Sequence, residues 1–397
     1  MSERALAGLR VLDFTRVLAG PMCTMMLADL GAEVIKVERP RLGDDTRHWG
    51  PPWAGEMSAY FASVNRNKKS ITLDLRTDAG VEIAKSLARE SHIVVENFKV
   101  GQMAQYGLDY ENLQTENPAI VYCSITGFGQ TGPYAERAGY DYVVQGMSGL
   151  MSITGAHEGM PHKVGVAISD VIAGLFAHGA ILAALRHAEQ TGQGQHIDIS
   201  LLDTQIAALV NIASNVLVSG KDAGRFGNQH ANIVPYQTFE AQDKAFVLAV
   251  GNDKQFRLLA HLIQRPELAR DDRFAGNPAR VKNREALVDI LAEVFEDKSA
   301  REWVELLTDA GIPCGEINTV QEALGMEHVV ARNLVHEMML SSRTPLKLVR
   351  SPLKMSATPP EIRSAPPALG ADTDVVLGEI LGMSEETIAG LRSDGVV

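Results

Sequence analysis

The first 200 residues alternate short β-rich runs with helical runs, and that rhythm narrows the choice of fold more than any other feature of the chain. "LRVLDF" (9–14), "EVIKVE" (33–38), "SITLDL" (70–75), "HIVVEN" (92–97) and "AIVYCSIT" (119–126) read as buried strands. "GPMCTMMLADLGA" (20–32) and "TDAGVEIAKSLARES" (77–91) read as helices between them. Parallel neighbours need a long crossover, usually a helix, so the pattern predicts an α/β fold with a mostly parallel sheet covered on both faces. Sheets of this kind bind ligands beyond the carboxyl ends of their strands. Those ends carry Arg16, Arg39, Asn97 and Gly127.

"PHKVGVAISDVIAGLFAHGAILAAL" (161–185) feeds a long apolar helix, predicted from Asp170 to about Ala188. Asp170 stands at its start. Aspartate is favoured there as a cap, because its oxygens accept the free N–H groups of the first turn. The same position can present a carboxylate to a substrate, and the local stretch leaves both readings open. After 221–229 the texture changes. Residues 235–251 alternate apolar and polar around a turn, as a hairpin does, and helices are predicted near 253–264, 281–297 and 299–310. At 397 residues the chain is long for one core. It is expected to divide into a large domain (1–224), a smaller α+β domain (225–325) and a C-terminal segment (326–397).

With 37 basic against 49 acidic residues, the net charge of −12 argues against nucleic acid or an anionic membrane as a partner. A local basic pocket remains compatible with it. Cys23, Cys123 and Cys314 lie far apart without a CxxC pair, which fits reduced thiols. No run of about 18 uninterrupted apolar residues occurs, and "MSERALAGLRVLDF" lacks a signal-peptide layout. A cytoplasmic setting is expected.

"GFGQTG" (127–132) matches G-x-G-x-x-G after a strand, but Pro133 follows at once and no acidic residue closes a second strand at the expected distance. Gly127, Gly129 and Gly132 are instead candidates for a loop whose bare backbone approaches an acyl group, with a plain turn as the alternative. "SVNRNKKSITLDLR" (63–76) offers Arg66, Lys68, Lys69 and Arg76, either as a solvated turn or as an anchor for a phosphorylated ligand, with Arg16, Arg39 and Arg47 nearby on the same presumed edge. "HEGMPH" (157–162) is not a zinc motif, since its histidines are five apart across Gly159 and Pro161, and no metal site is expected. His230, at the predicted domain boundary, is either structural or a substrate contact.

Taken together, "GLRVLDFTRVLAGPMCTMMLADLGAEVIKVERP", "NRNKKSITLDL", "VVENF", "GFGQTGP", "AGYDYVVQGMSGLMSITG", "GVAISDVIAG" and "TGQGQHIDISLLD" resemble, in that order, the class III (family III) CoA-transferases. "AGIPCGEINTV" extends the match late into the chain. "GDDTRHWGPP", "SVNRNKKSI" and "NIVPYQ" are similar to the branch that works between succinyl-CoA and dicarboxylates such as glutarate. The resemblance implies a Rossmann-like large domain completed by the C-terminal segment, a small domain, and an interlocked homodimer. It implies coenzyme A thioesters and small carboxylic acids as substrates, with no permanently bound cofactor. It places the nucleophile at Asp170, which would pass through a mixed anhydride and an aspartyl-CoA thioester. The coenzyme contacts it implies are Arg16, Val17 and Ala19, then Arg39, then Leu73 and Arg76, then Asn97 and Phe98, with Tyr140 near the thioester. Gln105 stands where some members carry a basic residue, and "VGNDKQF" (250–256) lacks the glycine-rich flap of the formyl-CoA transferases. Acyl-CoA racemases share the fold and are the alternative. Tyr140 replaces their histidine, and a phenol is a poor base at neutral pH.

Overall fold

The computed structural model describes residues 4–397, which cluster into two compact units. The first comprises residues 4–150, 164–219 and 328–397, and the second comprises 151–163 and 220–327.

In the first unit, β1 (Arg10–Asp13), β2 (Glu33–Glu38), β5 (Lys68–Thr72), β6 (Ile93–Glu96), β7 (Val121–Thr126) and β8 (Gln195–Ser200) form a six-stranded sheet. Its order is β5-β2-β1-β6-β7-β8 and every pairing is parallel. A two-stranded hairpin, β3 (Trp53–Ala54) with β4 (Met57–Ser58), interrupts the alternation. The pleat sends successive side chains to opposite faces. Val11, Val34 and Val95 therefore pack with the helices Ala19–Asp29 and Ile168–Thr191, while Leu12, Ile35 and Val94 pack with Asp78–Arg89 and Thr373–Leu381. The C-terminal segment thus completes the second face. Strand order reverses between β1 and β6, which opens a crevice at their carboxyl ends.

The Ile168–Thr191 helix has the length and hydropathy of a membrane span. Ala173, Ala177, Ile181, Ala184 and Leu185 are nevertheless buried in the core, against the Ala19–Asp29 helix and the sheet. Leu175 and Phe176 on the same helix are exposed, as are Ile206, Leu217 and Val218 nearby in the chain.

In the second unit, β9 (Tyr236–Glu240), β10 (Ala245–Ala249) and β11 (Cys314–Glu316) form an antiparallel sheet in the order β11-β10-β9. Phe295 packs edge to face with Phe246 and with Trp303, and Phe239 lies tilted against it, in the core of this unit. Back in the first unit, β12 (Val335–Met339) pairs with β13 (Pro345–Val349).

Among the boundaries that differ from the sequence reading, three stand out. β5 begins at Lys68 rather than Ser70 and ends at Thr72, because Lys68 is buried against a carboxylate and its charge hides the strand's start. The long helix begins two residues earlier, at Ile168. The helix predicted over 281–297 breaks at Asn283, whose side chain bonds the Ala279 carbonyl, giving Asn277–Lys282 and Arg284–Phe295.

Candidate active site

The crevice is built from the turn after β1. Asp13 is fully buried and accepts the Thr15 N–H (2.9 Å), the Thr15 and Thr24 hydroxyls (2.5 and 2.6 Å) and the Lys68 ammonium (3.0 Å). Burial alone would weaken this acid, but Lys68, Lys36 and the two hydroxyls hold it down at about 2. Lys36, equally buried, bonds the Thr15 carbonyl (2.7 Å) and Asp44 (2.9 Å). The next residue is clamped from β6: the Arg16 N–H donates to Asn97 Oδ1 (2.9 Å), and Asn97 Nδ2 donates to the Arg16 carbonyl (2.7 Å). Val17 then takes a left-handed conformation, φ +73°, which is costly for a β-branched residue and persists only where its surroundings impose it.

Two cavities open on this turn. The larger, about 570 Å³, is lined by Arg16, Arg39, Leu73, Arg76 and Phe98. The smaller, about 240 Å³, is lined by Arg16, Val17, Ala19, Asn97, Phe98, Gly127, Tyr140 and Asp170. Arg16, Phe98 and Gln102 belong to both, so together the cavities form a track from the end of β5 to Asp170. The Arg16 guanidinium lies 5.4 Å from the Phe98 ring centre, and its buried Nε has no partner. Arg16 and Arg39 converge on Asp45, at 3.3 and 2.8 Å. Arg76 is exposed and paired with Asp74. A site with several arginines at one end and a carboxylate at the other suits an elongated anionic ligand carrying an electrophile.

Asp170 is not the cap of its helix. The N-cap residue is Ala167, with no side-chain bond, and Asp170 is the third helical residue. The Ser169 N–H is taken instead by Asp141 Oδ1, at 2.8 Å, from the Asp141–Met147 helix. A helix N-terminus would ordinarily strengthen an acid. Here burial, with the Asp141 charge added to it, pushes Asp170 up to about 7. The Tyr60 phenol lies in the same field, raised by burial and then by Asp170, Asp141 and Asp44.

The glycine loop divides. Gly127 lines the smaller cavity because two backbones meet there: a Cβ on Gly127 would sit 2.5 Å from the Gly139 Cα. Gly127→Ala should therefore push the loop carrying Tyr140 aside. It is expected to cost about 1–3 kcal/mol in urea unfolding, with a fall in kcat. Gly129 and Gly132 do not line the cavity. The Gly129 N–H is consumed by Thr126 Oγ1 (3.0 Å) and the Gln130 N–H by Asp198 (2.9 Å), so the loop turns back onto β8.

The basic run at 63–76 is largely structural, which corrects the phosphate-anchor reading. Arg66 is buried in a forked pair with Asp29, Lys68 with Asp13, and Lys69 pairs with Glu33. Arg47 is likewise held by Glu38 while its guanidinium stacks 3.7 Å over Phe61. These positions were readable as basic but not as paired, since their partners lie up to 55 residues away. His230 belongs to the second unit, where its Nδ1 accepts the Asn232 N–H (3.0 Å) and its ring packs on Tyr236. Sequence reasoning missed Asp141 and Gln145. The signal was an acidic residue at a helix start with a glutamine four residues on, the spacing that lets Gln145 donate to Asp141 (2.8 Å).

A model of CoA-transferase family III matches residues 6–373. The succinyl-CoA:glutarate CoA-transferase of Mus musculus is 45% identical over 396 residues, covering 100% of this chain and 91% of that protein. The succinate–glutarate CoA-transferase of Agrobacterium fabrum is 46% identical over 365 residues, covering 87% of this chain and 91% of its own length. A solved structure of a CaiB/BaiF family protein from Brucella suis, 45% identical, aligns with a TM-score of 0.84 over 95% of this chain and 100% of that one.

Proposed function

The chain belongs to CoA-transferase family III, and from that premise we propose that it moves coenzyme A from succinyl-CoA to a dicarboxylic acid such as glutarate. The observation that carries the mechanism is the largely buried Asp170 carboxylate on the track that starts at Arg16 and Arg39.

Exchange of a thioester between two carboxylic acids is close to thermoneutral, so the barrier is kinetic and a covalent relay lowers it. The Asp170 carboxylate attacks the succinyl carbonyl, forms the mixed anhydride and expels the coenzyme A thiolate. The thiolate attacks the aspartyl carbonyl of the anhydride, giving the aspartyl-CoA thioester and free succinate. The acceptor carboxylate attacks that thioester, expelling the thiolate and forming a second mixed anhydride, and the thiolate then attacks the acceptor's carbonyl, giving the new acyl-CoA and freeing the Asp170 carboxylate. Arg16 and Arg39 hold the coenzyme's phosphates in place of Asp45. The Gly127 segment and Tyr140 flank the reacting carbonyl.

The relatives' printed names support succinyl-CoA and glutarate as the pair. Exposed Leu175, Phe176, Leu217 and Val218 support burial of these side chains by a second copy of this chain, as in the interlocked dimer the resemblance implies. Free Cys23, Cys123 and Cys314 support a reducing compartment.

Incubation with succinyl-CoA and a panel of glutarate, 3-hydroxy-3-methylglutarate, malate and itaconate, followed by mass spectrometry, should yield glutaryl-CoA and an equal amount of succinate. Absence of transfer to every acid, with α-proton exchange in a branched acyl-CoA, would favour the racemase alternative.

A further inference from the structure

Two carboxylates meet at the start of the Ile168–Thr191 helix, and only one is bonded to it. Asp141 Oδ1 accepts the Ser169 N–H, while Asp141 Oδ2 accepts from Gln145 Nε2, both at 2.8 Å. Gln145 is fully buried and its Oε1 accepts the Val164 N–H (2.9 Å), so one brace spans the segment leading into the helix. The buried Ser169 hydroxyl donates to Gln205 (2.9 Å), fixing the residue beside Asp170 from the other side. Asp170 itself accepts no hydrogen bond that lowers its basicity.

We infer that Asp141 is a positioning residue for the nucleophile: by filling the helix cap with a charge of like sign, it denies that cap to Asp170 and leaves the Asp170 carboxylate rigidly placed, unbonded and reactive toward a thioester. The inference rests on the transferase reading, with Asp170 as the attacking group. A carboxylate that accepts N–H bonds is stabilised and correspondingly less nucleophilic, whereas one beside a like charge is held more basic. The same helix end would otherwise bind Asp170 and blunt it.

The surrounding charges do not reverse this. Arg16, Lys99 and Arg137 line the smaller cavity with Asp45 and Glu136, and Arg16 is paired to Asp45. Tyr60 faces Asp170 from the Ala59–Ser63 helix and Tyr140 from the loop before Asp141. The Ala19–Asp29 helix contributes only Ala19 to the cavity wall and the Leu201–Ala207 helix only Leu201, so neither brings a charge.

Asp141→Asn and Asp141→Ser test this, since both side chains cap helices well but carry no charge. Asp141→Glu, which keeps the charge, is the conservative control. Two readouts are needed. The first is the pH dependence of stability in each background with Asp170 present and with Asp170→Asn, which reports the Asp170 titration without any activity. The second is the pH profile of kcat. Both midpoints should fall by about one pH unit in the uncharged variants, with a several-fold lower alkaline plateau, and Asp141→Glu should stay near wild type. Unmoved midpoints in a folded uncharged variant would overturn the inference. Should neither uncharged variant fold, the wild-type protein keeps the inference falsifiable: Asp170 titrating at the ordinary carboxylate value would overturn it. A shifted stability midpoint without CoA transfer by wild type would sink the proposed function while leaving the Asp141 brace intact.

Discussion

Asp170→Asn should abolish CoA transfer and, above neutral pH, make the protein more stable. The loss of activity follows from the proposed role: an amide is not a nucleophile toward a thioester, and removing a covalent nucleophile costs at least about 10³-fold in kcat. The gain in stability follows from the environment. The Asp170 acid is raised from 3.8 to about 7 in the folded chain. Its ionised form is therefore disfavoured by folding, and the penalty is absent below about pH 4, grows as pH rises, and is full above about pH 7. Asparagine has no charge to desolvate. The variant should match wild type near pH 4 and exceed it by up to about 4 kcal/mol at pH 8, with thermal or urea midpoints as the measure. Coenzyme binding should survive. Near-full turnover by the folded variant, with deamidation excluded by mass, would return Asp170 to a structural role. A stability difference independent of pH would show that the carboxylate is solvated.

Lys68→Met should produce the largest loss of stability. It leaves the Asp13 carboxylate in the core without the ammonium at 3.0 Å, and breaking one side of a fully buried ion pair typically costs about 3–5 kcal/mol. The effect should reach the site, because Asp13 also accepts the Thr15 N–H in the turn that carries Arg16 and Val17. The sign with pH is fixed. Asp13 is lowered from 3.8 to about 2, so its contribution is full above about pH 4 and is lost as pH falls toward 2. Without Lys68 the acid is weaker in the folded chain, and acid unfolding should begin at higher pH. Urea unfolding at pH 7 and an acid titration of the fold check both parts. A cost below about 1 kcal/mol would mean that Lys36 and the threonine hydroxyls suffice for Asp13.

The strands were legible where apolar, branched residues run together, as in β1, β2 and β7, because periodicity records which side chains leave water. The start of β5 was hidden by Lys68, whose burial depends on a carboxylate 55 positions away. The same limit governs the site. Arg16, Asn97, Gly127 and Asp170 could be placed at strand ends and a helix start from local pattern, and the fold brings them to one crevice. The basic cluster at 66–69 misled, since a one-dimensional reading sees its charges without the acids that neutralise them. The cap reading of Asp170, one of the two left open, fails for a related reason: local preference puts an aspartate on its own helix end, but the Ser169 N–H is taken by Asp141 from a neighbouring helix.

The proposed transfer requires a covalent bond to Asp170. Protein incubated with succinyl-CoA in the absence of an acceptor acid, then digested and mapped by mass spectrometry, reads that bond directly. The predicted result is coenzyme A joined as a thioester to the peptide containing Asp170, discharged on adding glutarate and absent in Asp170→Asn. Transfer that proceeds at full rate with no adduct on Asp170, at any time point, would contradict it.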